Sequence, residues 1–189
     1  MNLSPPDLTA VLAAGQLHGE AVEHSERTLG DLGGVFADEA ARLAMDPTVV
    51  AYRVQRHLSV ADGTPGGLYF GTSFVEPGRV GDEYFMTKGH FHVKRECGEY
   101  YWCLEGGGVL VLMDEDRKTW GVAMEPGVVH YIPGHTAHRL VNTGDRTLVV
   151  GACWPSDAGH DYASIAARGF GARVLDRDGE PTLVTEGRG

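Results

Sequence analysis

An all-β antiparallel barrel is what this sequence predicts, and three observations carry that expectation. Its 27 glycines and nine prolines fall between short apolar runs, as in a protein of many strands and tight turns. Turn signals such as Asp62-Gly63-Thr64-Pro65, Thr143-Gly144-Asp145 and Asp178-Gly179 recur between those runs. Residues 109–113 are apolar at every position, which suits a strand covered on both faces. The 189 residues, 42% of them hydrophobic, predict one domain with a single substantial core. No internal repeat or low-complexity linker suggests a boundary within residues 1–189.

Taken in order, residues 1–46 read as a helical arm and residues 47–185 as the barrel with a C-terminal hairpin. Ser4-Pro5-Pro6-Asp7 leads into a short helix through Leu8, Val11 and Leu12, stopped by Gly15. Residues 19–34 are mostly polar, with Leu29 and Leu32 as isolated anchors for an arm lying on the barrel or on a partner subunit. Residues 38–45 predict a two-turn helix, its acidic residues in the first turn and Asp46-Pro47 ending it. Strands are expected over residues 49–54, 67–74, 84–92, 100–104, 109–113, 120–124, 128–132, 138–142 and 147–152. The charged tip at residues 114–118 reads as a solvated hairpin. A short helix over residues 161–168 stops at Gly169, and residues 173–175 and 182–184 form a last hairpin around Asp178-Gly179.

The formal net charge of −10 argues against a general nucleic-acid or anionic-membrane binder, although a local cluster of donors can still hold an anionic small molecule. Cys97, Cys103 and Cys153 make an odd count with no CxxC pair, which speaks against a disulfide framework or zinc knuckle. Cys97 is a soft-ligand candidate by position, but a turn residue there is expected to point elsewhere. No apolar run reaches transmembrane length, and the N-terminus lacks the basic start of a signal peptide, so a cytoplasmic protein is expected.

Chemistry concentrates in residues 87–108. His90 and His92 alternate on the expected strand and so point to one face. Six residues separate His92 from Glu99, enough for a turn that returns a second strand beside the first. Two imidazoles and a carboxylate converging on one face suit a divalent transition metal. His138, 46 residues past His92, supplies a fourth ligand candidate.

The pattern His90-x-His92, Glu99, Gly106, then Gly127, Pro133, His138 and Asn142 resembles the two cupin motifs, which implies a double-stranded β-helix (jelly-roll) barrel. Residues 84–92, Glu99-Tyr100-Tyr101, Ala137-His138-Arg139-Leu140-Val141-Asn142 and Ala158-Gly159-His160-Asp161-Tyr162 resemble the cupin-type phosphoglucose isomerases more narrowly. This likeness runs from about residue 31 to residue 184. It implies an enzyme of glycolysis and gluconeogenesis that interconverts glucose 6-phosphate and fructose 6-phosphate. It also implies a homodimer, with one divalent ion per chain: iron(II), or zinc, nickel or manganese. The ligands would be His90, His92, Glu99 and His138. Thr87 and Gly89 match positions that help bind the sugar phosphate, with Thr72 or Ser73 beside them. Tyr52, Tyr101, His160 and Tyr162 match sugar-facing positions, and His160 joins Glu99 as a catalytic candidate. Family members often carry an aromatic pair before the Ala-His; here His135-Thr136 stand there, with His135 as a hydrogen-bond donor to substrate.

Isomerisation moves a proton between adjacent carbons while the carbonyl moves the other way. It needs a carboxylate or similar base near those carbons and a Lewis acid to polarise the oxygens; a hydride shift is the other route. Lys88 and Arg139 lie out of phase with the ligands and are expected toward solvent or, less simply, toward substrate. Three other readings share these motifs: an isomerase of another sugar phosphate such as mannose 6-phosphate, a non-catalytic sugar-phosphate-binding cupin, and an iron-dependent dioxygenase.

Overall fold

The computed structural model describes residues 8–185. In chain order the elements are β1 (Thr9–Val11), β2 (Gln16–His18), β3 (Val22–Thr28), a 3-10 turn (Leu29–Leu32), α1 (Glu39–Ala44), β4 (Val50–His57), β5 (Leu68–Val75), β6 (Arg79–Val80) and β7 (Glu83–Tyr84). There follow β8 (Glu99–Glu105), β9 (Gly108–Met113), β10 (Thr119–Met124), β11 (Val129–Ile132), β12 (Ala137–Asn142), β13 (Leu148–Pro155), α2 (Ala163–Ala166), β14 (Ala172–Arg177) and β15 (Glu180–Thr185). Every named pairing is antiparallel.

A six-stranded sheet, in the order β11-β8-β13-β5-β4-β3, forms one wall of the barrel. The other wall is β10-β9-β12, extended along β12 by residues 86–90 through bridges Met86–Val141 and His90–His138. Val75, Cys103 and Val150 from the first wall pack with Leu110, Leu140 and Val141 from the second in one buried cluster. Burying these apolar side chains between the walls is what packs the two sheets face to face. This two-walled antiparallel barrel is the architecture the strand pattern predicts. Residues 109–113 sit centrally in the second wall, between β10 and β12, which accounts for their unbroken apolar run.

Asn142 closes the two walls on each other. Its fully buried amide donates to Val75 O and Arg146 O, both at 2.8 Å, and its Oδ1 accepts the Gly144 N–H at 2.9 Å. The last residue of the second motif is therefore a structural link, as are Gly106 and Gly127, which hold left-handed turns at φ +80° and +88°.

Three expectations need correction. Residues 8–15 do not form a helix. β1 and β2 make a hairpin instead, with Leu17 buried, its N–H held by Gln55 Oε1 at 2.8 Å, while Val11 and Leu12 stay exposed. Contact with the sheet outweighs the weak helical pattern: at Gly15 (φ +66°) a Cβ would meet Val149 Cγ1 at 2.4 Å. The Ser4-Pro5-Pro6-Asp7 lead lies outside the described residues.

The polar stretch that follows is largely strand: β3 adds to the edge of the six-stranded sheet beside β4. The predicted helix near residue 40 is present as α1, capped by Asp38, whose carboxylate takes the Ala41 N–H at 2.8 Å, a contact worth about 1 kcal/mol. Residues 84–92, finally, are not a continuous strand. After β7 they touch their neighbours through isolated bridges. Gly89 at φ +72° breaks the extended run, and Phe170 and the Arg139 Cβ crowd it so closely that a side chain would have no room.

Candidate active site

The two walls and the irregular segment each bring part of one cluster. Glu99 opens β8 in the six-stranded sheet, and His138 is the second residue of β12 in the opposite wall. His90 is hydrogen-bonded to His138 main chain to main chain, at 3.2 and 3.1 Å, so the two imidazoles start side by side. His92 lies two residues on, and its ring centroid stands 5.4 Å from that of His138. One ligand atom from each of His90, His92, Glu99 and His138 falls within 4.8 Å of every other.

The outer ring nitrogens fix the inner ones. His92 Nδ1 lies 2.8 Å from Cys97 O and His138 Nδ1 lies 3.3 Å from Thr136 O. A carbonyl only accepts, so each Nδ1 carries the proton and each Nε2 offers its lone pair inward. The Nε2 atoms of all three histidines and Glu99 Oε1 are buried without a hydrogen-bond partner. Glu99 Oε1 sits 2.5 Å from His138 Nε2 and 3.5 Å from His92 Nε2. Buried polar atoms left unpaired cost free energy unless something satisfies them. A tetrad of three neutral imidazoles and a carboxylate, aimed at one point, fits a divalent transition ion. Cys97 takes part through its main chain, not its sulfur.

The electrostatics agree with that donor set at His90 and Glu99. Burial, helped by the neighbouring His138, pushes His90 well below the usual imidazole range, which leaves it neutral. Burial opposes ionisation of Glu99, yet His138 and His92 outweigh it and lower the carboxyl to about 2. Burial likewise works against protonated His92, but the Glu99 carboxylate 3.5 Å from its Nε2 outweighs burial and raises the value.

The cluster opens into a cavity of about 320 Å3, at the lower end of the roughly 300–1,000 Å3 that small-molecule sites span. His90, Glu99 and His138 form its floor. Tyr101, whose ring stands 5.5 Å from His138, and Tyr52 and Tyr162 line the walls. Burial raises all three phenols, Tyr101 well above its ordinary value, so each keeps its proton and can donate. His160 stands 4.4 Å from the His90 ring and stacks on Tyr162 at 5.9 Å and 15°. Burial lowers it to about 4, so it is neutral at physiological pH. Asp161 takes the helix-start N–H of Ser164, leaving His160 and Tyr162 on the cavity side.

Ser73, Thr87 and Gly89 also reach the cavity. Thr87 Oγ1 accepts the Leu140 N–H at 3.0 Å. Thr72 is placed differently. It borders the cavity, but its side chain alternates with Ser73, and its methyl reaches toward Gly15 on the other face of the sheet. His135 is outside the cavity altogether. It sits in a left-handed turn at φ +60°, is 58% exposed at the side chain, and points Nδ1 at Glu115 Oε2, 3.2 Å away. Arg139, expected toward solvent or substrate, is buried; it donates to Lys88 O at 2.7 Å and lies over the Phe170 ring. Lys88 lines the cavity, its Nζ 5.6 Å from the Tyr162 ring centroid.

The polar and aromatic lining residues Ser25, Arg27, Arg56 and Trp154 are not singled out in the sequence reading. Arg27 stands directly across from Tyr52 in the β3–β4 ladder, and Arg56 shares the face of Tyr52 and Val54. Once Tyr52 is a candidate, alternation along β4 points to Arg56; nothing local in the sequence points to β3.

The profile of the family described as Glucose-6-phosphate isomerase (GPI) matches residues 26–185. The chain belongs to this family. It is 41% identical over 175 residues to a glucose-6-phosphate isomerase of Pyrococcus horikoshii, covering 89% of each chain. To that of Thermococcus onnurineus it is 43% identical over 163 residues, covering 84% of this chain and 83% of the relative. Among solved structures, a Bacillus subtilis oxalate decarboxylase overlies 57% of this chain and 26% of its own, at 22% identity and a TM-score of 0.45.

Proposed function

We propose that the chain is an aldose–ketose isomerase that interconverts glucose 6-phosphate and fructose 6-phosphate with the help of a bound divalent ion. The observation that carries this reading is the buried His90, His92, Glu99 and His138 tetrad opening into a cavity of sugar size, in a chain of this family. Bound to those four residues, the ion would act as a Lewis acid that polarises the sugar oxygens on carbons 1 and 2. The remaining chemistry belongs to the chain's own groups.

The Tyr52, Tyr101 and Tyr162 phenols and neutral His160 are hydrogen-bond donors without net charge, suited to sugar hydroxyls. Cations stand among them: Arg27, across the ladder from Tyr52, Arg56, and Lys88, beside the Tyr162 ring, line the same cavity inside a protein of formal net charge −10. A sugar phosphate calls for both kinds of group, neutral donors for its hydroxyls and cations for its anionic end. Ser73, Thr87 and the main chain at Gly89 add neutral donors for the phosphate. Glu99 is the base proposed for the proton that travels between carbon 2 and carbon 1. Its lowered basicity is offset by the acidity of a proton beside a polarised carbonyl.

Iron(II) is the ion proposed, supported by the three-imidazole, one-carboxylate set. A role in glycolysis and gluconeogenesis and a cytoplasmic location follow from the proposed reaction. No helix among the described residues is long and apolar enough to cross a membrane. A homodimer is supported by the aromatic face that Tyr100, Val129 and Tyr131 leave exposed on β8 and β11. The test is a coupled isomerase assay on iron-loaded protein without oxygen, run with glucose 6-phosphate, mannose 6-phosphate and glucose. Turnover is expected with the first; turnover of none of them at any metal loading overturns the reading.

A further inference from the structure

We propose that Arg95 is a positioning residue: its guanidinium fastens the metal-ligand loop to the segment carrying His160 and Tyr162 and so sets where that wall stands against the substrate. The inference rests on the isomerase reading above. Arg95 lies in the loop between His92 and Glu99, and its charged fork reaches two segments at once. Nη1 donates to His92 O at 2.6 Å. Nη2 donates to Asp161 Oδ2 at 2.5 Å and to Ser164 Oγ at 3.3 Å. The guanidinium carbon lies 4.4 Å over the Phe91 ring, between the two histidines of the ligand pair, and Nε is 3.8 Å from Glu115 Oε1. The Arg95 main chain adds a further tie, its carbonyl accepting the His135 N–H at 2.5 Å.

Asp161 is the residue between His160 and Tyr162, so a tether on Asp161 acts on both. The segment is also joined to the ligand loop through the Phe91–Asp161 main-chain bridge, with bonds of 2.8 and 3.4 Å, and through Lys94, whose N–H donates to Ala158 O at 2.9 Å and whose Nζ donates to Asp157 Oδ2 at 3.0 Å. The Lys94 ties hold the segment ahead of His160; the side-chain fork holds it at Asp161 and Ser164, on either side of Tyr162. Charge-assisted bonds from a planar fork are stronger and more directional than neutral ones. Arg95 does not line the cavity and touches no reacting atom, so its effect reaches the substrate through His160 and Tyr162. A misplacement near 1 Å in such a wall can cost about a hundredfold in rate.

The experiment uses the full-length, metal-loaded protein. Arg95→Met keeps length without charge, and Arg95→Lys keeps charge without a fork that spans His92 O and Asp161 together. Each is made alone and in a background that combines His160→Gln with Tyr162→Phe. kcat, KM, bound metal and the dissociation constant for 6-phosphogluconate by calorimetry are measured for all. Both single variants are expected to lose about tenfold to a hundredfold in kcat/KM and to weaken 6-phosphogluconate binding while retaining their metal. In the combined background the further loss should shrink to under about threefold, because a residue that works through two others adds little once both are gone. The same loss in both backgrounds, loss of the ion in Arg95→Met, or full activity in Arg95→Lys overturns the proposal. Failure of the isomerase reading would show separately, as wild-type protein that turns over no sugar phosphate. Arg95 is then judged by 6-phosphogluconate affinity alone, and equal affinity in wild type and Arg95→Met overturns it.

Discussion

Glu99 and His138 belong to opposite walls of the barrel, yet Glu99 Oε1 and His138 Nε2 are 2.5 Å apart. Both side chains are almost wholly buried, at 4% and 1% exposure. A carboxylate and an imidazole at that depth demand a further partner, and the first prediction follows. Wild-type protein should carry about one divalent ion per chain by elemental analysis. His92→Ala combined with His138→Ala should carry less than about a tenth of that, with unchanged far-ultraviolet dichroism, because the core is large enough to fold without the ion. Full metal content in the double variant would remove the tetrad from consideration.

Glu99→Gln keeps the shape and one oxygen donor but discards the base. Metal affinity should weaken, and at saturating metal the turnover should still drop by about a hundredfold to ten-thousandfold. Running the wild type in heavy water separates the two routes for the migrating hydrogen. Deuterium on carbon 1 or carbon 2 of the product supports proton transfer through an enediol. Unlabelled product together with a nearly active Glu99→Gln would favour a hydride shift and remove Glu99 from the role of base.

The rim cations give a prediction about charge. Arg56 forms an exposed 3.0 Å pair with Glu23, a contact of little energetic weight that a phosphate can replace. Arg27→Ala and Arg56→Ala should each raise KM for glucose 6-phosphate by about tenfold, the effect of losing one charge-assisted contact, and leave any slow turnover of free glucose unchanged. Equal effects on both sugars would mean that the arginines serve the fold and not the anion.

Asp161 makes acid stability measurable at the same wall. Hydrogen bonds from Ser164, and then from Arg95, lower its carboxyl from 3.8 to about 2. A depressed folded-state value contributes stability that is fully present above the unfolded value and is lost as pH falls through the folded one. Urea midpoints of the wild type should therefore decline between about pH 4 and pH 2 more steeply than those of Asp161→Asn. Parallel curves for the two proteins would show that the carboxylate contributes nothing in that window.

What could be read from the chain alone follows from how local each signal is. The His90 and His92 pair is encoded by alternation over three residues, Glu99 by one short loop and His138 by a second compact motif. Each is a short-range pattern, and the structure brings the four together. The barrel strands were legible for the same reason, since burial on one face repeats every second residue. Arg27 was hidden because β3 is an edge strand exposed on both faces, with no apolar alternation to announce it. The β1–β2 hairpin was hidden because its stability comes from a distant sheet and not from its own sequence. Thr72 and Ser73 were both candidates; strand parity allows only one of two neighbours to face inward, and register decided for Ser73. His135 left the pocket because a left-handed backbone turned it outward, a feature that a histidine does not advertise.

The division of the four ligand candidates between opposite walls has a mechanical consequence. Sheets packed face to face stand about 10 Å apart, a gap set by the volume of the side chains between them. Leu110, Leu140, Cys103 and Val150 fill that gap behind the tetrad. They act as a spacer gauge for the coordination sphere: one methylene gained or lost there alters how far Glu99 stands from His138. The affinity of the tetrad for an ion would therefore depend on the oily interior as well as on the donors themselves, and a conservative change far from any polar atom would retune it.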